Sequence, residues 1–138
     1  MCGIFAVIGS REVSSILIDG LRKLEYRGYD SAGIATIDNS NNDQIGKLNI
    51  KKTKGKLINL ANLISKNPPK GHVGIGHTRW ATHGKPNERN SHPHLDSTGQ
   101  IAVVQNGIIE NHRDLSQRLK LKGIKFTSET DTEIIPHL

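Results

Sequence analysis

The stretch "IATIDNSNNDQIGKLNIKK" at 34–52 carries the reading of the fold. Its first four residues are apolar or β-branched, and "IATID" (34–38) predicts a strand. "NSNND" (39–43) is turn chemistry, because Asn, Asp and Ser side chains bond to their own nearby backbone. "QIGKLNIKK" (44–52) alternates and predicts a partner strand. Two strands joined by so short a turn pair antiparallel.

On the N-terminal side, "EYRGYDSAG" (25–33) breaks periodicity and reads as a loop. Before it, Val13, Ile16, Leu17, Leu21 and Leu24 in "REVSSILIDGLRKL" fall at the spacing of an amphipathic helix. "CGIFAVIG" (2–9) is a short apolar run and predicts a buried strand. On the C-terminal side, "KLINLANLIS" (56–65) predicts a helix, which Asn67-Pro68-Pro69 ends. "HVGIGHT" (72–78) reads as a strand and "RWATHGKPNERNSHPH" (79–94) as a long polar loop. "QIAVVQNG" (100–107) reads as a strand. "NHRDLSQRLKLKG" (111–123) reads as a helix stopped at Gly123. "SETDTEIIPHL" predicts another helix, with Thr130 and Glu133 at capping-box spacing and Pro136 set to kink or end it. The mixture is that of an α/β or α+β domain, and the hairpin favours antiparallel pairing.

The 138 residues suffice for one domain over 1–138. Hydrophobic residues make up 34% and aromatics only 4%, so the core must rest on Ile, Leu, Val and Ala. No apolar run approaches a membrane span. A single cysteine excludes an internal disulfide framework, and a reducing, cytoplasmic setting is the simplest expectation. The net charge of +6 raises nucleic acid as a partner, but the lysines are scattered, and "KLNIKKTKGK" (47–56) has no interleaved aromatics. An anionic substrate or a solvated lysine face fits better, with no nucleic-acid or membrane partner expected. His77, His83, His92 and His94 crowd one region, yet no Cys or carboxylate completes a metal-ligand pattern.

The lone cysteine sits at position 2, behind the initiator methionine. Small residues there permit removal of Met1. Cys2 would then carry a thiol and a free α-amine together. A free thiol titrates near about 8.5 and an α-amine around 7.7–8.0. The amine is therefore partly neutral at pH 7 and can take the thiol proton, so one residue supplies nucleophile and base. The bland alternative is that Cys2 is a small buried hydrophobe.

Attack on an amide carbonyl needs donors for the developing oxyanion. Asn106 offers a side-chain amide, and Gly107 lets a backbone N–H come close. The alternative is a plain Asn-Gly turn, although "IIENHRDL" gives no obvious return strand. Arg79, in "HTRWATHG" (77–84), is a planar fork suited to a carboxylate. Trp80, the sole tryptophan, lies in a polar loop where it can wall a pocket, and Thr82 and His83 add donors and acceptors; the bland alternative is a surface arginine with a tryptophan capping the core. Asp131 can neutralise an ammonium, or simply be a first-turn carboxylate favoured by the helix dipole.

"MCGIF", "LRKLEYRGYDSAGIA" (21–35), "HTRWATHG", "NSHPH" (90–94), "VVQNGIIENH" (103–112) and "SETDTE" (128–133) together resemble one family. It is the N-terminal glutaminase domain, of class II glutamine amidotransferase type, found in the glutamine–fructose-6-phosphate aminotransferases (isomerizing). "LEYRGYDSAG" and "TRWATHG" are the segments that separate this family from the purine-pathway amidophosphoribosyltransferases. The resemblance implies an α+β N-terminal-nucleophile hydrolase fold, a four-layer α-β-β-α sandwich with antiparallel sheets, incomplete at its C-terminus. It implies Cys2 as nucleophile, with Asn106 and Gly107 as the oxyanion hole. It further implies Arg79, Trp80, Thr82, His83 and Asp131 as glutamine-binding residues, and neither metal nor cofactor. The implied substrate is L-glutamine, whose ammonia would feed a sugar-phosphate isomerase half in a homodimeric cytoplasmic enzyme. A non-catalytic glutamine- or partner-binding module is the competing expectation. Gln105 departs from the pattern, standing where the family often has histidine.

Overall fold

In the computed structural model, residues 1–39, 46–82 and 84–138 are described. The predicted turn therefore falls largely outside the described residues, but its two strands are present. β2 (Ser31–Asp38) and β3 (Lys47–Lys54) pair antiparallel, Ser31 opposite Lys54 and Asp38 opposite Lys47. β2 begins three residues earlier than the apolar run suggests, because Ser31, Ala32 and Gly33 already pair with neighbours on both sides.

β1 (Gly3–Ile8) and β4 (Val73–Arg79) complete a sheet of order β1-β4-β2-β3, antiparallel at every pairing. The expectation that β1 is a buried strand holds for alternate residues only. It is an edge strand with alternating burial, and Ile8 is largely exposed.

α1 (Ser14–Arg22) and α2 (Leu57–Lys66) cover one face of this sheet. Val13, Leu17, Ile18 and Leu21 meet Leu57, Leu60 and Ile64 over Ala32 and Ile34, with Phe5, Val7 and Tyr29 packed alongside. This is the aliphatic core that a chain poor in aromatics requires. Burying each such side chain fully contributes roughly 1.5–3 kcal/mol. The first N–H of α2, on Leu57, has no partner within its own helix and donates to Tyr29 Oη at 2.6 Å.

The other face of the sheet meets a second layer. It contains β5 (His94–Leu95) paired antiparallel with β6 (Ala102–Val103). Beyond it lie α3 (His112–Leu121) and a 3₁₀ helix at Thr132–His137. Helices, sheet, sheet and helices thus succeed one another as in an α-β-β-α sandwich. Among the described residues the second sheet is this two-stranded pair. The strand expected over 100–107 is shorter than predicted, since the chain leaves β-pairing at Val104 to enter the Gln105–Gly107 turn.

The last helix is also corrected. The segment is 3₁₀, and no side chain caps it. Glu133 does not close a capping box with Thr130. Its buried carboxylate instead accepts from the N–H groups of Thr127 and Ser128, each at 2.6 Å, and from the Thr127 hydroxyl at 2.8 Å. Burial alone would push Glu133 up, but these bonds hold its carboxyl below the usual range.

Candidate active site

Strand alternation decides which side chains can meet. Gly3 pairs with Thr78, and the Gly3 N–H donates to Thr78 Oγ1 at 3.1 Å on the helix-covered side. Cys2, His77 and Arg79 therefore fall on the opposite side, toward the second layer. Gly33, paired with His77 on β2, shares that side. A Cβ at Gly33 would stand 2.1 Å from the carbonyl oxygen of His92. Only glycine lets the 89–94 segment lie so close to the sheet.

The resulting cleft, of about 240 Å³, is lined by Cys2, Arg79, Trp80 and Thr82 on the sheet side. Gln105, Gly107, Ile108 and the Thr130–Thr132 segment line its far wall. The Trp80 N–H donates to Cys2 Sγ at 3.1 Å, fixing the sulfur at the mouth of β1. Arg79 is 3% exposed and donates to the Gly84 carbonyl at 3.3 Å. Asp131, 5% exposed, accepts from the Ile109 N–H at 2.7 Å. A guanidinium and a carboxylate thus sit in one half-enclosed pocket with a thiol, which suits a zwitterionic amino acid carrying an electrophilic side chain.

Asn106 adjoins the Cys2 main chain, its side-chain amide donating to the Cys2 carbonyl at 3.3 Å. Gly107 has φ of +150°, a conformation favouring glycine, and a Cβ there would press on Gln105 Nε2 at 3.0 Å. The bland hairpin reading of Asn-Gly does not hold, as no return strand follows. The Met1 ammonium donates to the Arg27 and Gly28 carbonyls at 2.8 and 3.1 Å.

Of the eight candidate residues named from the sequence, six, Cys2, Arg79, Trp80, Thr82, Gly107 and Asp131, line this cleft, and a seventh, Asn106, is bonded to Cys2 beside it. The eighth, His83, lies outside the described residues. No group of three or more metal-ligating side chains is found among the described residues.

Sequence reasoning missed the supports behind the cleft. Asp30 accepts from the Ala81 N–H at 2.6 Å while its own N–H donates to the Arg79 carbonyl at 2.7 Å, so it holds both ends of the Arg79–Ala81 turn. Asn90, fully buried, bonds Lys85, Glu129 and Asn87 and ties the loop after Gly84 to the Asp131 segment. Thr132 Oγ1 donates to Gln105 Oε1 at 2.8 Å. His77, His92 and His94 form a buried row, with His92 stacked on His77 at 4.1 Å and edge-on to His94 at 4.6 Å. Burial, the largest cause, pulls His77 down to about 4 and His94 to about 3, and His92 is lowered for the same reason. The histidine density is visible in the sequence and its spacing argues against metal ligands, but nothing there shows that the rings stack into a buried row.

Residues 64–138 match the glutamine amidotransferase domain family. Over all 138 residues the chain is 56% identical to glutamine–fructose-6-phosphate aminotransferase [isomerizing] of Clostridium acetobutylicum and 57% identical to that of Thermosynechococcus vestitus. It spans 22% and 21% of those two proteins. Among solved structures, glutamine phosphoribosylpyrophosphate amidotransferase from B. subtilis matches the whole chain with a TM-score of 0.79 and 30% identity, over 29% of its own length.

Proposed function

Because the chain belongs to the glutamine amidotransferase domain family, we propose that it hydrolyses the side-chain amide of L-glutamine, with Cys2 as nucleophile once Met1 is removed. The observation that carries this reading is the cleft itself: thiol, guanidinium and carboxylate line one pocket although they lie far apart in the chain.

Arg79 takes the substrate carboxylate in its planar fork, and Asp131 takes the ammonium. Trp80 and Thr82 wall the pocket. The Cys2 sulfur attacks the amide carbon, a C–S bond forms, and the thiol proton passes to the Cys2 α-amine. The carbonyl oxygen becomes an oxyanion held by the Asn106 side-chain amide and the Gly107 N–H. Collapse breaks the C–N bond, and ammonia leaves with the proton from the α-amine. Water then attacks the γ-glutamyl thioester, the C–S bond breaks, and glutamate is released with the thiol restored. The net change is glutamine plus water to glutamate plus ammonia, and no metal or cofactor enters it.

The similarity to the aminotransferases supports the next step in this reading. The ammonia serves the conversion of fructose 6-phosphate to glucosamine 6-phosphate by a sugar-phosphate isomerase part, in a homodimeric cytoplasmic enzyme. Residues 1–138 act there as the glutaminase portion.

The test is ammonia and glutamate release from L-glutamine, with Cys2→Ala as control. One-to-one release by the wild type and none by the control is expected. Equal release from both would refute the assignment of the nucleophile.

A further inference from the structure

An oxyanion hole built from an asparagine side chain has a weakness. The amide can turn over, presenting its oxygen where its N–H₂ is needed. Something must hold Asn106 the right way round.

We propose that His77 is a positioning residue that orients the Asn106 side-chain amide, and with it the Gln105–Gly107 turn, for oxyanion binding. His77 Nε2 lies 2.8 Å from Asn106 Oδ1 and 3.2 Å from the Gln105 carbonyl oxygen. Both are oxygen acceptors, so Nε2 must carry the proton. The ring is 1% exposed and neutral at ordinary pH, because burial lowers its affinity for a second proton. Its Nδ1 has no hydrogen-bond partner among the described residues, as suits the Nε2–H tautomer.

One N–H therefore does two things. It commits Asn106 Oδ1 to the buried His77 ring, which leaves Nδ2 directed at the Cys2 carbonyl at 3.3 Å, on the nucleophile's own residue. It also holds the Gln105 carbonyl, whose peptide leads into Asn106 and Gly107. His92, stacked parallel on His77, completes the clamp, its Nδ1 accepting the Gln105 N–H at 3.4 Å. The Gln105 main chain is thus gripped at both ends by two histidine rings. His77 itself does not line the cleft, so it acts through Asn106 and not on substrate.

This inference rests on the glutaminase reading, and the experiment separates the two. In the protein expressed from its whole reading frame, His77→Phe keeps a flat ring against His92 but has no donor. Its kcat for glutamine hydrolysis should fall about 10–100-fold while KM stays within about threefold. Asn106→Ala should cost about 10²–10³-fold in kcat, the usual cost of deleting an oxyanion donor. Because His77 acts through Asn106, His77→Phe should cost little more in the Asn106→Ala background. His77→Gln, which restores an N–H donor, should recover part of the loss. Additive losses in the double variant, or an unchanged kcat in His77→Phe, overturn the proposal. Should these variants not fold, the imidazole ¹⁵N spectrum of the wild type decides: an Nε2–H tautomer is expected, and an Nδ1–H tautomer overturns the inference. Wild-type protein with no Cys2-dependent ammonia release overturns the glutaminase reading, and this inference with it.

Discussion

The Trp80 main-chain N–H donates to the Cys2 sulfur across 3.1 Å, although the two residues are 78 positions apart. The contact follows from strand register. With Gly3 opposite Thr78, the next residues outward bring Cys2 beside the end of β4, and the turn after Arg79 aims the Trp80 amide at the thiol. The nucleophile is thereby tied to the strand that carries Arg79.

The Met1 ammonium occupies the Arg27 and Gly28 carbonyls in this structure, and the Cys2 nitrogen lies in a peptide bond. An amide nitrogen is no base. Protein retaining Met1 should therefore release ammonia at least about 10³-fold more slowly than protein beginning at Cys2, a loss of the size seen when a nucleophile–base unit is disabled. Intact-mass measurement on active and inactive fractions checks this. Full activity in a Met1-bearing sample would rule out the α-amine as base.

Arg79 and Asp131 should govern substrate capture more than chemistry. Arg79→Lys exchanges a planar fork for a point charge, and Asp131→Asn removes the charge opposite an ammonium. Charge-assisted hydrogen bonds contribute roughly 1.5–3 kcal/mol, so each variant should raise the glutamine KM about 10–100-fold. kcat should change by less than about tenfold. Steady-state kinetics separate the two parameters, and a loss confined to kcat would contradict these roles.

Gly33 should tolerate no side chain. Its Cβ would stand 2.1 Å from the His92 carbonyl oxygen, a main-chain atom that cannot swing aside. Gly33→Ala must push the two sheets apart and should destabilise the fold by about 1–3 kcal/mol or more. Denaturant unfolding measures this. The shift also moves His92 off Gln105, so activity should drop in the protein that still folds.

Stability should fall on mild acidification. His77 and His94 are buried neutral, lowered to about 4 and about 3, with Arg79 and Lys52 nearby adding positive charge. In the unfolded chain each takes a proton near pH 6.5. Above that pH both states are neutral and nothing is lost. Between about 6.5 and 4 the unfolded chain binds protons the folded one refuses, so unfolding becomes easier as pH falls. Each site adds a slope of up to about 1.4 kcal/mol per pH unit. Melting temperatures measured from pH 7 to 4.5 should decline steeply, and His77→Gln should flatten the curve. A flat wild-type profile would mean these rings are not buried as described.

Much of the fold is readable in the sequence. Leu17, Leu21, Leu57, Leu60 and Ile64 mark two helices in the sequence, and both helices cover the core. The β2–β3 hairpin was legible because turn chemistry and alternation are local. Two expectations differ, one for a local reason and one for a tertiary one. The Thr130–Glu133 spacing mimicked a capping box, but Glu133 found four donors from Thr127 and Ser128, a bonding set that spacing alone does not reveal. β1 looked buried because its residues are apolar; its edge position became visible only with the strand order.

The sequence by itself determined which chemistry was on offer: one thiol at position 2, one Arg-Trp loop, one Asn-Gly pair and an acidic segment at 128–133. Tertiary structure decided which of these share a cleft, and which way Asn106 faces. The physical reason is that side-chain types are written residue by residue, whereas a hydrogen bond needs two groups within about 3 Å. Only the strand register, the glycine gap at Gly33 and the histidine stack bring such distant groups that near.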